Sequence, residues 1–309
     1  MQSGHRDILV TGESQKEDPM DFVLWKPKKE GEPAWDSPWG QGRPGWHIEC
    51  SVMSKKYVGE TLDIHAGGED LIFPHHENEI AQSEAANGVP FANYWMHNAF
   101  LNIDNKKMSK SAGNFFTVRE IGEKFPLQVL RFFMLSVHYR SPLNFSDTLV
   151  QSAKNGLDRI LTAVEHAQEV VDGLPKDEGR KAEEEDSYQK LKKLVKKYET
   201  AMEDDFNTAD AIAAIFELVK LSNITVTKES SYTYAKEMLD TIVELCDVLG
   251  IITEKQEDIL ASDIEELIEQ RQQARKNKDF AKADAIRDEL LEKGIILKDT
   301  REGVKWSRA

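Results

Sequence analysis

Residues 61–88 read TLDIHAGGEDLIFPHHENEIAQSEAANG, and the change of period along them sets the fold class. Thr61 to His65 alternates as a strand does, then runs into Ala66-Gly67-Gly68. Pro74 suits the first turn of a helix, which His75 to Ala86 would continue and Gly88 would close. Strand, turn and helix in that order predict an α/β layout. Tyr94 to Leu101 is aromatic and apolar enough for a second strand. The polar stretch Asn102 to Asn114 reads as a loop, and helical patterns resume at Val118 and Leu127.

Moving outward, composition shifts near residue 145. Before it lie all prolines but Pro175, all tryptophans but Trp306, and most of the glycines and histidines. After it come long charged helical patterns. Ser146 is a plausible N-cap, and Leu149, Ala153, Leu157, Ile160, Leu161 and Val164 keep helical spacing behind it. Gly179 to Asp186 reads as a solvated linker. Helices over Tyr188 to Glu203, Ala209 to Leu221 and Tyr234 to Leu249, the last ended by Gly250, predict an antiparallel bundle. A last unit starts near Asp263 with a charged helix. It adds a helix from Phe280 to Lys293, stopped by Gly294, and a hairpin of Ile295 to Leu297 with Gly303 to Trp306.

The 309 residues are enough for two or three domains with real cores. No apolar run approaches the roughly 18 residues that span a bilayer. The first thirty residues are charged and lack the apolar stretch of a secretory signal, which argues against secretion. Cys50 and Cys246 are the only cysteines; they make no disulfide framework and fit a reducing cytoplasm. A net charge of −15 is the wrong sign for a uniformly basic grip on nucleic acid, so any RNA contact must be local.

The densest chemistry is Cys50 with His75, His76, Glu77 and Glu79. Residues four apart on a helix share a face, so His75 and Glu79 can meet one ion while His76 points elsewhere. Cys50 adds a thiolate from a distant loop. Cysteine, histidine and carboxylate suit zinc, and three ligands with an open position describe a reactive site. Paired histidines at a helix start are also often simply hydrogen-bonded at a surface, and a lone cysteine is often a buried thiol. A second feature is Lys107-Met108-Ser109-Lys110-Ser111 in the polar loop. Its lysines can approach a polyphosphate, or be a solvated turn.

The string Lys107 to Ser111 is the KMSKS signature of class I aminoacyl-tRNA synthetases. With Gly45-Trp46-His47-Ile48-Glu49-Cys50, Phe73-Pro74-His75-His76-Glu77-Asn78-Glu79 and Asp21-Phe22-Val23-Leu24-Trp25-Lys26, the chain resembles the cysteinyl-tRNA synthetases along its whole length. That resemblance implies a Rossmann-like α/β catalytic remnant, then an all-α helical bundle and a small α/β C-terminal unit. It divides the chain into residues 1–115 with the zinc site and lysine loop, a connecting helical region at 116–180, a helical bundle on the anticodon side at 187–250, and an anticodon-binding unit at 256–309. It implies a zinc ion held by Cys50, His75 and Glu79 that selects the thiol of cysteine. Trp46 and His65 would line the cysteine pocket, and the Gly67-Gly68-Glu69-Asp70 turn would lie near the ATP ribose. Lys110, supported by Lys107, would neutralise the triphosphate of ATP, with Mg2+ accompanying it.

The implied reaction activates cysteine with ATP and transfers it to tRNA(Cys) in the cytoplasm, the protein being a monomer that touches no membrane. In the family a further cysteine ligand and an HIGH motif precede the segments matched here. The chain is therefore expected to be the C-terminal portion of a longer protein, and inactive by itself. Two other readings stay open: a ligase joining cysteine to a small-molecule amine, and a non-catalytic tRNA-binding fragment. Lys192, Lys193, Lys196 and Lys197, and Arg271, Arg275, Lys276 and Lys278, are candidate RNA contacts or merely solvated faces. Trp306 reads as core rather than as a base-stacking platform.

Overall fold

The computed structural model describes residues 16–103, 106–108, 116–122, 124–176, 179–251, 259–277, 279–292, 295–300 and 303–308. The chain divides into two compact units, residues 1–251 and 252–309.

The first unit opens with a small antiparallel ribbon, β1 (Trp25–Pro27) on β2 (Gly42–Pro44), followed by helix α1 (Ile48–Tyr57). Strand β3 (Leu62–Gly68), helix α2 (Glu77–Asn87) and strand β4 (Ala92–Asn98) make one crossover unit, in which β3 and β4 pair in parallel. Gly88 ends α2 in the left-handed region at φ +71°, where a glycine carries no side-chain penalty. The start of α2 differs from the helix expected through Pro74 and His75. A short 3-10 turn, Glu69–Leu71, leads into a π turn, Ile72–His76, broken by an extended Phe73 at φ −134°, ψ 134°. The break is at Phe73; His76 is already at φ −68° and ψ −35°, and the regular α-helix follows from Glu77.

Nor is the segment after Asn102 all loop. Strand β5 (Leu101–Ile103) pairs antiparallel with β6 (Lys106–Lys107) and parallel with β7 (Leu143–Phe145). Helices α3 (Val118–Gly122) and α4 (Leu127–Leu135) lie between β6 and β7 in sequence. Leu101 with Leu143 and Ile103 with Phe145 are register partners. Their apolar side chains join Val129, Phe132 and Phe133 of α4 at one end of a continuous core.

That core is completed by four long helices, α5 (Asp147–Gly173), α6 (Glu185–Glu203), α7 (Thr208–Thr225) and α8 (Tyr232–Val248). Each apolar stripe keeps the helical period: Val150, Leu157, Ile160, Val164 and Val171 on α5 are buried, as are Ile215, Leu218 and Ile242 on the partners. The N-termini are capped by short polar side chains. The Ser146 hydroxyl accepts from Leu149 N, the Asn207 side chain from Asp210 N, and the Ser231 hydroxyl from Tyr234 N. The first unit ends where the Arg131 guanidinium donates to the Leu249 carbonyl at 2.8 Å, under a left-handed Gly250. A Cβ on Gly250 would come within 2.6 Å of that guanidinium.

The expected linker at 179–186 is structured instead. Its Glu184 is buried and accepts hydrogen bonds from Ser231 N at 2.7 Å, Ser231 Oγ at 2.6 Å and Lys181 N at 2.8 Å. This carboxylate ties the start of α6 to the start of α8. Glu184→Ala is expected to cost about 2–3 kcal/mol, because a charged acceptor is lost and a buried N–H is left without a partner. Chemical denaturation of wild type and variant measures it, and a change near zero would refute the tie.

The second unit packs α9 (Ile259–Lys276), α10 (Phe280–Glu292) and an antiparallel hairpin of β8 (Ile295–Thr300) with β9 (Gly303–Arg308). Ile268, Ile286, Leu290 and Ile295 form its core. The side chain of Trp306 lies outside the described residues. Among the described residues no helix is long and apolar enough to cross a membrane.

Candidate functional site

The chemistry-bearing side chains gather where α1, α2 and the carboxyl ends of β3 and β4 meet. In parallel α/β units that end is where ligands bind, because side chains and turns there are free of the sheet's own pairing. Two short contacts pin α1 against α2. Gln82 Nε2 and Ser83 Oγ each donate to Ser51 Oγ at 2.6 Å, which brings Cys50 alongside Glu79.

Glu79 is the centre of the site. It is buried at 5% exposure and accepts from His65 Nε2 at 2.7 Å. The Cys50 thiol also donates to it. Desolvation first, then the neighbouring Glu79 charge and that hydrogen bond, push the thiol up to about 11. Cys50 as a residue is exposed.

The sequence argument that His75 and Glu79 share a helical face is compatible with the backbone, because only Phe73, ahead of both, departs from helical dihedrals. His75 leans on His47, ring centroids 5.0 Å apart, and towards Trp46 at 6.2 Å. His76 instead turns inward, is buried, and packs on His65 at 4.6 Å. Among the described residues, the ligand atoms of His65, His76 and Glu79 lie within 4.8 Å of one another. Glu79 thus belongs both to this trio and to the expected set Cys50, His75 and Glu79. Gly67 makes the inward turn possible: a Cβ there would meet His76 Cε1 at 3.0 Å and Leu71 Cδ1 at 2.9 Å.

The imidazoles continue as a chain. His76 Nδ1 and His97 Nε2 are 2.8 Å apart, and Trp95 lies against His65 and stacks on His97 at 7°. Burial, ahead of the neighbouring histidines, holds His76 and His97 below the usual imidazole range. His47 is lowered for the same first reason, and its Nδ1 is buried without a partner among the described residues. His47, His76, His97 and Trp95 were not assigned roles from sequence. Five of the chain's eight histidines fall between positions 47 and 97, and that density is the signal that could have found them.

The two pocket residues expected from the resemblance have different surroundings. His65 contacts Glu79, whereas Trp46 is 75% exposed beside His75. Lys107 ends β6, paired with Asn102 of β5, so the KMSKS string leaves directly from a sheet edge. Lys110 lies outside the described residues. The basic stretch on α6 is partly spent internally: Lys197 pairs with Glu217 at 2.7 Å and Lys196 with Glu199 at 3.3 Å. On α9, Arg271 is buried.

Comparison with known families matches residues 2–155 to the class I (C) tRNA synthetase catalytic domain, 197–253 to the DALR domain, and 258–306 to the cysteinyl-tRNA ligase anticodon binding domain. A cysteine–tRNA ligase of Lachnospira eligens is 65% identical over 313 residues, covering 100% of this chain and 66% of the relative. Those of Lachnoclostridium phytofermentans and Clostridioides difficile are 64% and 57% identical, covering 96% and 95% of this chain and 64% and 63% of theirs. The chain spans about two thirds of the length of these curated relatives. Among solved structures, the Agrobacterium radiobacter K84 LeuRS–tRNA–LeuAMS ternary complex is similar at TM-score 0.54 and 16% identity, over 70% of this chain and 34% of that one. At that identity the likeness concerns the fold alone.

Proposed function

From the premise that the chain belongs to the cysteinyl-tRNA synthetase family, we propose that it serves ATP-dependent ligation of cysteine to tRNA(Cys). The observation that carries this reading is the meeting of Cys50, Glu79 and the histidines at the carboxyl end of a parallel strand pair, in a chain that also holds a KMSKS string and an anticodon-binding unit.

The residues fit zinc by donor chemistry. A thiol already in contact with a buried carboxylate, with imidazoles on either side, is a soft and borderline donor set. Cys50, His75 and Glu79 would hold the ion, His75 turning from His47 towards Glu79. When bound, the metal supplies discrimination, because it prefers the soft thiolate of cysteine to the hydroxyl of serine, which shape alone distinguishes poorly. Trp46 and His65 flank the place the substrate side chain would take. His65, held by Glu79, offers a fixed imidazole there.

The cysteine carboxylate attacks the α-phosphorus of ATP and pyrophosphate leaves; a hydroxyl of the terminal ribose of the tRNA then attacks the acyl carbon of the adenylate, and AMP leaves. Side chains do little covalent work in either step, so orientation and charge neutralisation carry the rate. Lys110 would neutralise the triphosphate, a task Mg2+ would share when it accompanies the nucleotide, and Lys107 starts the loop from the β6 edge. Residues 1–115 serve the chemistry, 116–180 connect, and 187–250 with 256–309 face the tRNA. We read the protein as a cytoplasmic monomer.

Recognition of tRNA is tested by binding the full chain to tRNA bearing the cysteine anticodon and to the same tRNA with that anticodon changed. A preference of about tenfold or more is expected, because unstacked anticodon bases are read by polar groups and stacking. The salt dependence should be shallow, since a chain of net charge −15 offers only local basic contacts to the phosphates. Equal affinity for both RNAs would favour a small-molecule cysteine ligase instead.

A further inference from the structure

The loop between α6 and α7 holds two consecutive non-glycine residues in the left-handed region, Asp205 and Phe206, each at φ +55°. Such backbone persists only where its surroundings over-determine it. Part of the restraint is local, Phe206 N donating to the Met202 carbonyl at 3.2 Å and Asn207 N to the Ala201 carbonyl at 3.0 Å, and part comes from side chains outside the loop. The Asp205 carboxylate accepts from the Tyr139 hydroxyl at 2.7 Å and pairs with Arg140 Nε at 2.6 Å. Arg140 Nε also donates to the Tyr139 oxygen at 3.1 Å, and His138 Nε2 lies 4.0 Å from Asp205. A second tie runs alongside, Thr208 Oγ1 donating to the Leu135 carbonyl at 2.7 Å.

Tyr139 faces both ways. Its side chain holds Asp205, and its backbone carbonyl accepts from Ala99 N at 2.8 Å. Ala99 directly follows β4, two residues after His97, whose ring bonds His76. Arg140 is also near enough to His97 to help depress its basicity, after burial and His65.

We propose that Asp205 is a positioning residue that acts from the helical bundle, through Tyr139 and Arg140, to hold the carboxyl end of β4 and with it the His97–His76 pair. The carboxylate is placed by its own bonds to Tyr139 and Arg140, and the left-handed loop brings it within their reach. The inference does not depend on the proposed reaction, because the imidazole pair can be observed directly.

The test is NMR of the full chain at neutral pH, following the downfield ring N–H proton of the His76–His97 hydrogen bond and the exchange of the Ala99 amide. In Asp205→Asn, Ala99 exchange is expected to rise by about tenfold or more and the ring proton to broaden away, while the amides of Ile215 and Ile242 keep their protection. Arg140→Gln, which leaves the loop untouched, should do the same. Phe206→Gly relaxes one strained residue but keeps the carboxylate, and should leave both signals in place. Both signals unchanged in Asp205→Asn or Arg140→Gln would overturn the proposal. So would an equal rise in exchange at Ile215 and Ile242, which would mark Asp205 as a plain stability contact.

Discussion

Glu79→Ala is expected to lower the affinity of the chain for zinc by about a hundredfold or more, since even outer partners of a metal ligand are typically worth about 10–100-fold. The side chain is the meeting point of the site. It is buried, it accepts from His65 at 2.7 Å, and it receives the Cys50 thiol. Its loss removes the negative donor and leaves the His65 ring without its partner, a folding cost of about 1–3 kcal/mol that the first unit's large core can absorb. Competitive zinc titration, alongside a thermal melt, measures both. An unchanged affinity in a folded variant would exclude Glu79 as a ligand. The same titration separates the two possible ligand sets that share it. Loss of binding in Cys50→Ser and His75→Ala, with His76→Ala nearly silent, assigns the ion to Cys50, His75 and Glu79. The reverse pattern assigns it to His65, His76 and Glu79.

Lys110→Ala is expected to slow cysteine-dependent exchange of pyrophosphate into ATP by about a hundredfold or more, or about 2.7 kcal/mol of transition-state stabilisation. The assay uses a protein that joins these residues to the remaining third of the relatives' length. Charge builds on the phosphate oxygens as pyrophosphate departs, and a lysine that meets it there lowers the barrier without being needed for binding. The signature is therefore a fall in kcat greater than any rise in KM for ATP. Lys107→Ala should cost less, about tenfold, because Lys107 belongs to β6, where pairing with Asn102 sets the loop's point of departure. An unchanged exchange rate in Lys110→Ala would remove this lysine from the reaction.

The local signals were readable because each is written in neighbouring residues. The helical periods on α5 to α8, the caps at Ser146 and Ser231, the left-handed stops at Gly88 and Gly250, and the C-terminal hairpin depend on spacing and on backbone freedom. The strings around Cys50, His75 and Lys107 named the family before any geometry was available. Even the exclusion of a broadly basic RNA grip follows from a net charge of −15 alone.

Tertiary structure decided what depends on residues distant in the chain or on departures from ideal geometry. The i, i+4 argument for His75 and Glu79 could not say which ring each side chain meets. In the folded chain the His75 ring lies against His47, while His76 packs beneath Gly67 beside His65 and His97. The stretch after Asn102 looked like loop because β5 is only three residues long. It is a strand since β7, forty residues on, supplies its parallel partner and an apolar face to share. Glu184 looked like a linker charge and is a buried acceptor for Ser231, 47 positions away. Asp205 and Tyr139 are 66 positions apart, so no local pattern could pair them. Short-range periodicity reports how a segment satisfies its own backbone. Which side chain a buried carboxylate meets is settled by packing, and only the folded chain carries that information.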